Sequence, residues 1–180
     1  MNNKQHIGDN QTHSELEVFE QRVRRYQSSL FAYLGRFGFP IGIAEELAQE
    51  TFLRAWRADH QFDEQKSQYS TWLFRIARNV ALTELDKQRR TVDSPNMDDV
   101  ANASTQTDGA QRLADQQQLE RLSHAMSQLS LEDQETIALS GLDELSSEEA
   151  AVILDCSAAT YRTRLSRARS RLKKHWETLP

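Results

Sequence analysis

The stretch Ser146–Trp176 constrains the fold more than any other part of the chain. It opens with SSEEAAVILD, passes through Cys156, Ser157 and Ala158, and continues as a long basic run ending RSRLKKHW. Ser146, with Glu149 three residues on, has the spacing of a capping box, so a short helix starts there. The residues after Asp155 read as a tight turn. From Ser157 to Trp176 there are seven basic residues and no acidic one. On a helix, Tyr161, Leu165, Ala168, Leu172 and Trp176 fall on one narrow apolar stripe. Arg164, Arg167 and Arg171 line one flank, and Arg162, Arg169 and Lys173 the other. Thr163, Ser166 and Ser170 stand opposite the stripe, leaving a slim outer ridge between cationic shoulders. A short helix, a brief turn and a long basic helix form a helix-turn-helix. A slim ridge with Arg on both sides suits the floor of a DNA major groove.

A merely solvated basic helix would carry the same residues, but the charge pattern opposes that reading. Between Arg121 and Arg162 there is no Lys or Arg, yet there are eight acidic residues. Charge is segregated along the chain, as a dedicated electropositive face requires. The formal net charge of −5 leaves this unaffected, because binding follows local potential; it does imply weak non-specific DNA affinity. A mean hydropathy of −0.73 and the lack of any long apolar run exclude membrane spans. The polar N-terminus, MNNKQHIGDNQTHSE, lacks the apolar segment of a secretory signal, so a cytoplasmic location is expected. The single cysteine, Cys156, rules out an internal disulfide framework and reads as a small buried hydrophobe.

The expected architecture is all-α, with two small helical domains joined by a flexible acidic linker. Residues 1–13 are expected to be disordered and residues 14–90 to form an N-terminal bundle. Residues 91–112 form the linker, and 113–180 the helix-turn-helix domain. From Ser14, the residues Leu16, Phe19, Val23, Tyr26, Leu30, Tyr33 and Phe37 recur at helical steps until Gly35, Gly38 and Pro40 stop them. In IAEELAQETFLRAWR (43–57), Ala44, Ala48, Phe52, Ala55 and Trp56 are expected in the core. Glu46, Gln49, Glu50 and Leu53 share the opposite face, and a leucine among acids and amides there hints at a protein contact. A third helix starts near Tyr69, with Ser70 or Thr71 as its N-cap, and buries Trp72, Leu73, Ile76, Ala77 and Val80. Arg75, Arg78 and Asn79 then point outward. The segment TVDSPNMDDVANASTQTDGAQ has the composition of a mobile linker, and Leu113, Leu119, Leu122, Met126 and Leu129 resume the helical pattern after it.

Together these motifs resemble bacterial sigma-70 family factors of the small, two-domain extracytoplasmic-function (ECF) class, from about Ser14 to Trp176. AEELAQETFLRAWR resembles the helix that docks on the RNA polymerase clamp. YSTWLFRIARN resembles the minus-ten recognition and melting segment, and LSSEEAAVILDCSAATYRTRLSRARSRL the minus-thirty-five helix-turn-helix. The order of the three motifs, with an acidic linker between the second and third, is a specific combination. The resemblance implies that Glu46, Leu47, Gln49, Glu50 and Leu53 contact core RNA polymerase. It implies that Tyr69, Trp72, Arg75, Arg78 and Asn79 work at the minus-ten element, holding a base drawn out of the stack. It places Ser157, Thr160, Arg162, Thr163, Arg164, Arg167 and Arg171 at the minus-thirty-five element. The resemblance implies that Arg162, Thr163 and Arg167 read bases there and that Arg164 and Arg171 hold phosphate. It further implies promoter DNA and an anti-sigma or other regulatory protein as partners.

The chain departs from the family pattern at five places. Glu144, Asp155 and Ala159 stand where glycine is common, and Tyr161 stands where a β-branched residue is usual, with Ala150 opposite it in place of isoleucine. Asp tolerates the left-handed backbone, and a large Tyr against a small Ala conserves core volume. No metal or other cofactor is expected, since His6, His13, His60, His124, His175 and Cys156 lack ligand spacing. No catalytic constellation appears either, so an enzyme is not expected. A free-standing helix-turn-helix regulator with a dimerising or signal-binding helical domain is the competing class. Only the polymerase-docking face and YSTWLFRIARN argue against it.

Overall fold

The computed structural model describes residues 5–92, 121–122 and 124–178. Six α-helices lie among them: α1 (Gln5–Gly35), α2 (Ile41–Ala58), α3 (Tyr69–Val92), α4 (Leu131–Ser140), α5 (Ser147–Ile153) and α6 (Ala158–Thr178). A single 3-10 turn, Asp59–Gln61, follows α2, and another helical stretch ends at Ser127 just before α4. No strand occurs among the described residues. The first turns of α1 precede the Ser14 start read from the apolar pattern. The segment from Gln5 holds no proline, and extending an existing helix costs far less than nucleating one. Leu113, Leu119 and all of the linker except Thr91 and Val92 lie outside the described residues.

The helix ends follow from local chemistry. Gly38, at φ 81, takes the left-handed conformation that closes the turn after α1. Pro40 then precedes α2, its carbonyl accepting from the Ala44 amide at 2.9 Å. The capping box on α5 forms: the Glu149 amide donates to Ser146 Oγ at 3.2 Å, and the Ser146 amide donates to the Glu149 carboxylate at 2.8 Å. The α5 C-terminus closes as a Schellman motif. The Cys156 amide bonds the Ala151 carbonyl (2.9 Å) and the Asp155 amide that of Val152 (3.3 Å), with Asp155 at φ 53. The departure from glycine at Asp155 is therefore accommodated, and Tyr161 and Ala150 share one core as expected.

Two expectations need correction. Ser70 and Thr71 are not N-caps; α3 already begins at Tyr69, and both side chains are buried in its first turn. Trp56 is not a core residue. It is 37% exposed, with its ring held edge-on against Phe19 at 4.8 Å. The indole covers Phe19 near the middle of α1 from outside, while Ala55 takes the inward position.

The two halves share a core. A smaller cluster of Tyr26, Ala55, Tyr69 and Leu73 lies within the α1–α3 bundle. The main cluster is continuous, running from Leu30, Tyr33, Phe74 and Ala77 to Leu139, Ala150, Ala151, Ile153 and Tyr161. Helix α3 packs against α5, and α1 meets α4. The helix-turn-helix module thus lies directly on the bundle.

Candidate nucleic-acid interface

Helix α6 is anchored by the buried Tyr161 and Ala168 and the partly buried Leu165. Its start is capped by Ser157, whose Oγ accepts from the Thr160 amide at 3.1 Å and lies 2.7 Å from Thr160 Oγ1. Thr163 donates back to the Ala159 carbonyl at 3.0 Å. With Tyr161 and Ala168 buried and Leu165, Leu172 and Trp176 half-buried, Arg162, Thr163, Arg167 and Arg169 stand exposed. A shallow groove of about 440 Å³ runs along the helix, lined by Glu132, Asp133, Thr160, Thr163, Arg164, Arg167 and Arg171 among others.

Three arginines here already have acidic partners. Arg162 pairs with Glu148 of α5 at 3.0 Å, Arg164 with Glu132 at 2.9 Å, and Arg171 with Asp133 at 2.6 Å. Arg162 and Arg171 are still 58% and 56% exposed, so both remain within reach of a duplex. Exposed pairs of this kind hold about 0–1 kcal/mol each, less than a bidentate base contact offers. The Arg171–Asp133 pair differs in that Asp133 is buried beneath the helix. It aims the far end of α6. The acidic run noted in the sequence supplies all three partners, a role the one-dimensional pattern did not reveal.

The residues assigned to the minus-ten element do not form a single surface. Arg75 and Asn79, one turn apart on α3, are exposed. Tyr69 is buried and Trp72 half-buried, both packed on Phe62 at centroid distances of 5.1 and 5.3 Å. The Arg22 guanidinium lies 4.2 Å over the Tyr69 ring and pairs with Asp59 at 2.7 Å. Burial pushes the Tyr69 phenol up to about 12, partly offset by the Arg22 charge. Arg22, Asp59 and Phe62 were missed in the sequence; Arg22 sits between stripe positions Phe19 and Val23, with nothing to single it out. Arg78 faces the other module, its Nε 2.8 Å from Glu135 Oε1 and its Nη2 donating to Oε2 at 3.3 Å.

On α2, Glu46, Gln49 and Leu53 are exposed, Leu53 at 42%, and Glu50 is half-buried with an ion pair to Arg54 at 2.6 Å. Leu47 is separated from them. It is buried at 8% and packs in the core, because it projects between Ala44 and Thr51 on the inner face. Among the described residues no group of His, Cys, Asp and Glu is arranged to hold a metal, and no helix is long and apolar enough to cross a membrane.

A helix-turn-helix with a cationic second helix, carried on a helical bundle, defines a two-module DNA-binding protein. Residues 22–91 match the family model described as Sigma-70 region 2, and residues 119–172 match Sigma-70, region 4. The chain is 33% identical over 161 residues to the ECF RNA polymerase sigma-E factor of Escherichia coli K12, covering 85% of this chain and 83% of that protein. It is 34% identical over 157 residues to the ECF RNA polymerase sigma factor SigM of Bacillus subtilis, covering 87% and 93%. Among solved structures, the sigma factor RpoE in complex with the anti-sigma factor NepR, from Bartonella quintana, matches at a TM-score of 0.70 and 29% identity, covering 91% and 99%. CnrH in complex with the cytosolic domain of CnrY matches at 0.68 and 25%, covering 92% and 91%. The chain belongs to the ECF subfamily of sigma-70 RNA polymerase sigma factors, and acts as an alternative sigma factor in transcription initiation. The free-standing regulator is thereby set aside.

Proposed function

We propose that the chain acts in the bacterial cytoplasm without chemistry of its own. It would bind core polymerase through the α2 face of Glu46, Gln49, Glu50 and Leu53, and lead it to promoters read at two elements. Arg162, Thr163 and Arg167 read minus-thirty-five bases from the major groove, while Arg164 and Arg171, on the same flank of α6 as Arg167, hold phosphates. Ser157 and Thr160 fix the entry of the recognition helix and offer its N-terminus to the backbone. At the minus-ten element, Arg75 and Asn79 meet the strand, with Arg78 joining them and the Tyr69–Trp72–Phe62 cluster supplying aromatic faces for an unstacked base. Leu47 serves the docking face only from behind. The observation that carries this reading is the exposed cationic flank of α6 above a buried Tyr161–Ala168 stripe. An anti-sigma protein is a fitting partner, since RpoE and CnrH were each solved with a bound protein and two modules offer surfaces to clamp.

The test is run-off transcription with purified core enzyme on a panel of promoters, alongside size-exclusion of the two proteins. Co-elution and promoter-dependent transcripts are expected. Tight duplex binding by the chain alone, with no complex with core, would refute the reading.

A further inference from the structure

The connector from Asp59 to Gln68 brings Phe62 to the start of α3, and its backbone is shaped by local bonds. The Phe62 amide donates to the Asp59 carbonyl at 3.0 Å, and the Lys66 and Ser67 amides donate to that of Asp63 at 3.0 and 3.3 Å. The Gln65 amide and the Lys66 ammonium take the Asp63 carboxylate at 3.0 and 2.9 Å. Such bonds form the connector's own turns and leave its place against the bundle to other groups.

Arg22 of α1 reaches it from the bundle. Its Nη1 donates to Asp59 Oδ1 at 2.7 Å, and its Nη2 lies 3.7 Å from Glu64 Oε1. The guanidinium carbon stands 4.2 Å from the centre of the Tyr69 ring and 5.4 Å from that of Phe62. One planar cation thus holds the start of the connector by charge and rests on rings from the connector and from α3. The Arg22 side chain is 19% exposed, so water and salt screen this pair less than a surface pair. A lysine has no flat face to lay on a ring while bonding a carboxylate in the same plane.

The rings beneath divide in two. Tyr69 is buried, packed by Arg22 on one side and by Tyr26 at 5.7 Å, so it backs the cluster. Phe62 and Trp72 are half-buried and 5.3 Å apart, leaving ring surface open. An aromatic face binds a base best when its position is fixed beforehand, because ordering it at the moment of binding costs affinity.

We infer that Arg22 is a positioning residue for the minus-ten element: by clamping the connector at Asp59 and covering Tyr69, it sets Phe62 and Trp72 in place for an unstacked base. This rests on the proposed role of the Tyr69–Trp72–Phe62 cluster. Arg22 acts through those rings, its own guanidinium being engaged by Asp59. Without it the connector keeps its internal turns and loses its place, so affinity falls for the melted strand alone.

The test uses the full-length chain as holoenzyme, on a promoter that it transcribes. Two probes derive from that promoter. One is a fork junction, duplex through the minus-thirty-five element and single-stranded across the non-template minus-ten element, with 2-aminopurine at each unpaired position in turn. The other is a duplex that ends upstream of the minus-ten element. Arg22→Met keeps an apolar stem and removes the charge, whereas Arg22→Lys keeps the charge. Arg22→Met should bind the fork about tenfold more weakly, within the range that one stacked base is worth, and should blunt the change in 2-aminopurine emission. It should bind the duplex probe and core polymerase as the parent does, with an unchanged circular-dichroism spectrum. Arg22→Lys should regain part of the loss. In an Asp59→Asn background, Arg22→Met should cost less than it does in the parent, because the clamp is already open. Parent-like fork binding by Arg22→Met overturns the positioning role, and so does an equal loss on both probes, the mark of general destabilisation. Trp72→Leu separates this role from the reading beneath it. If Trp72→Leu weakens fork binding and Arg22→Met does not, Arg22 alone is misassigned; if neither does, the aromatic-cluster reading of the minus-ten element fails and the positioning role falls with it.

Discussion

Replacing Arg162 by alanine separates recognition from stability. Its partner within the protein is Glu148, at 3.0 Å, with side chains 58% and 66% exposed. Such a pair contributes about 0–1 kcal/mol, and no buried group is stranded by its loss. The melting temperature should therefore move by only about 0–4 °C for a chain of this size. A lost base contact costs about 1–3 kcal/mol, or roughly 5- to 150-fold in affinity. The assay is titration of a cognate promoter with the holoenzyme, repeated over a range of salt. Arg171→Ala is the control. It removes an expected phosphate contact, so the slope of log affinity against log salt should fall by about 0.9, whereas Arg162→Ala should leave that slope nearly unchanged and relax the sequence preference. Because Asp133 is buried, Arg171→Ala should also destabilise the fold more than Arg162→Ala does. If Arg162→Ala matches the parent on cognate and altered promoters, the major-groove assignment of α6 is wrong.

Glu50→Lys should weaken co-elution with core polymerase while lowering stability by only about 0.2–0.5 kcal/mol, since the new lysine meets Arg54 one turn on; unchanged co-elution refutes the docking face. Ser146→Ala removes the side-chain half of the α5 capping box and should cost about 0.5–2 kcal/mol, read as a lower urea midpoint with an unchanged slope; no shift would show that the cap is idle. The phenol of Tyr69 is pushed up to about 12, chiefly by burial, and burial also raises those of Tyr33 and Tyr161. Below the ordinary tyrosine value of about 10, these phenols are protonated in both the folded and unfolded states. Above it the unfolded chain releases protons that the folded chain keeps, so stability should fall as pH rises through that region. Tyrosinate absorbance appearing without loss of helix near pH 10 from all four tyrosines would contradict that burial.

Much of the helix-turn-helix could be read from the chain because each of its signals is local. Ser146 and Glu149 lie within one turn, the Schellman motif at Asp155 is closed by the consecutive amides of Asp155 and Cys156, and the Tyr161–Ala168 stripe needs only helical periodicity. The α2 face was legible for the same reason, except for Leu47, whose inward direction depends on what α1 and α3 place beside it. Trp56 was misread because its size marks it for a core, whereas Ala55 takes the inward position and the next residue is turned aside along the helix. Arg22 could not be found at all. Its place over Tyr69 is created by two helices meeting, and no spacing records it.

The residues by themselves determined most of the helical segments, the capping of the helix-turn-helix, which side of α6 packs inward and therefore which of its arginines are left exposed. Only the tertiary structure decided that Arg78 points at Glu135, that Arg36 caps α4 beside Gly141, and that one core joins both modules. Capping and periodicity act over a few bonds and are written in neighbouring letters. The pairing of groups 57 or 105 positions apart depends on how packed surfaces match in space, and that match belongs to the folded chain.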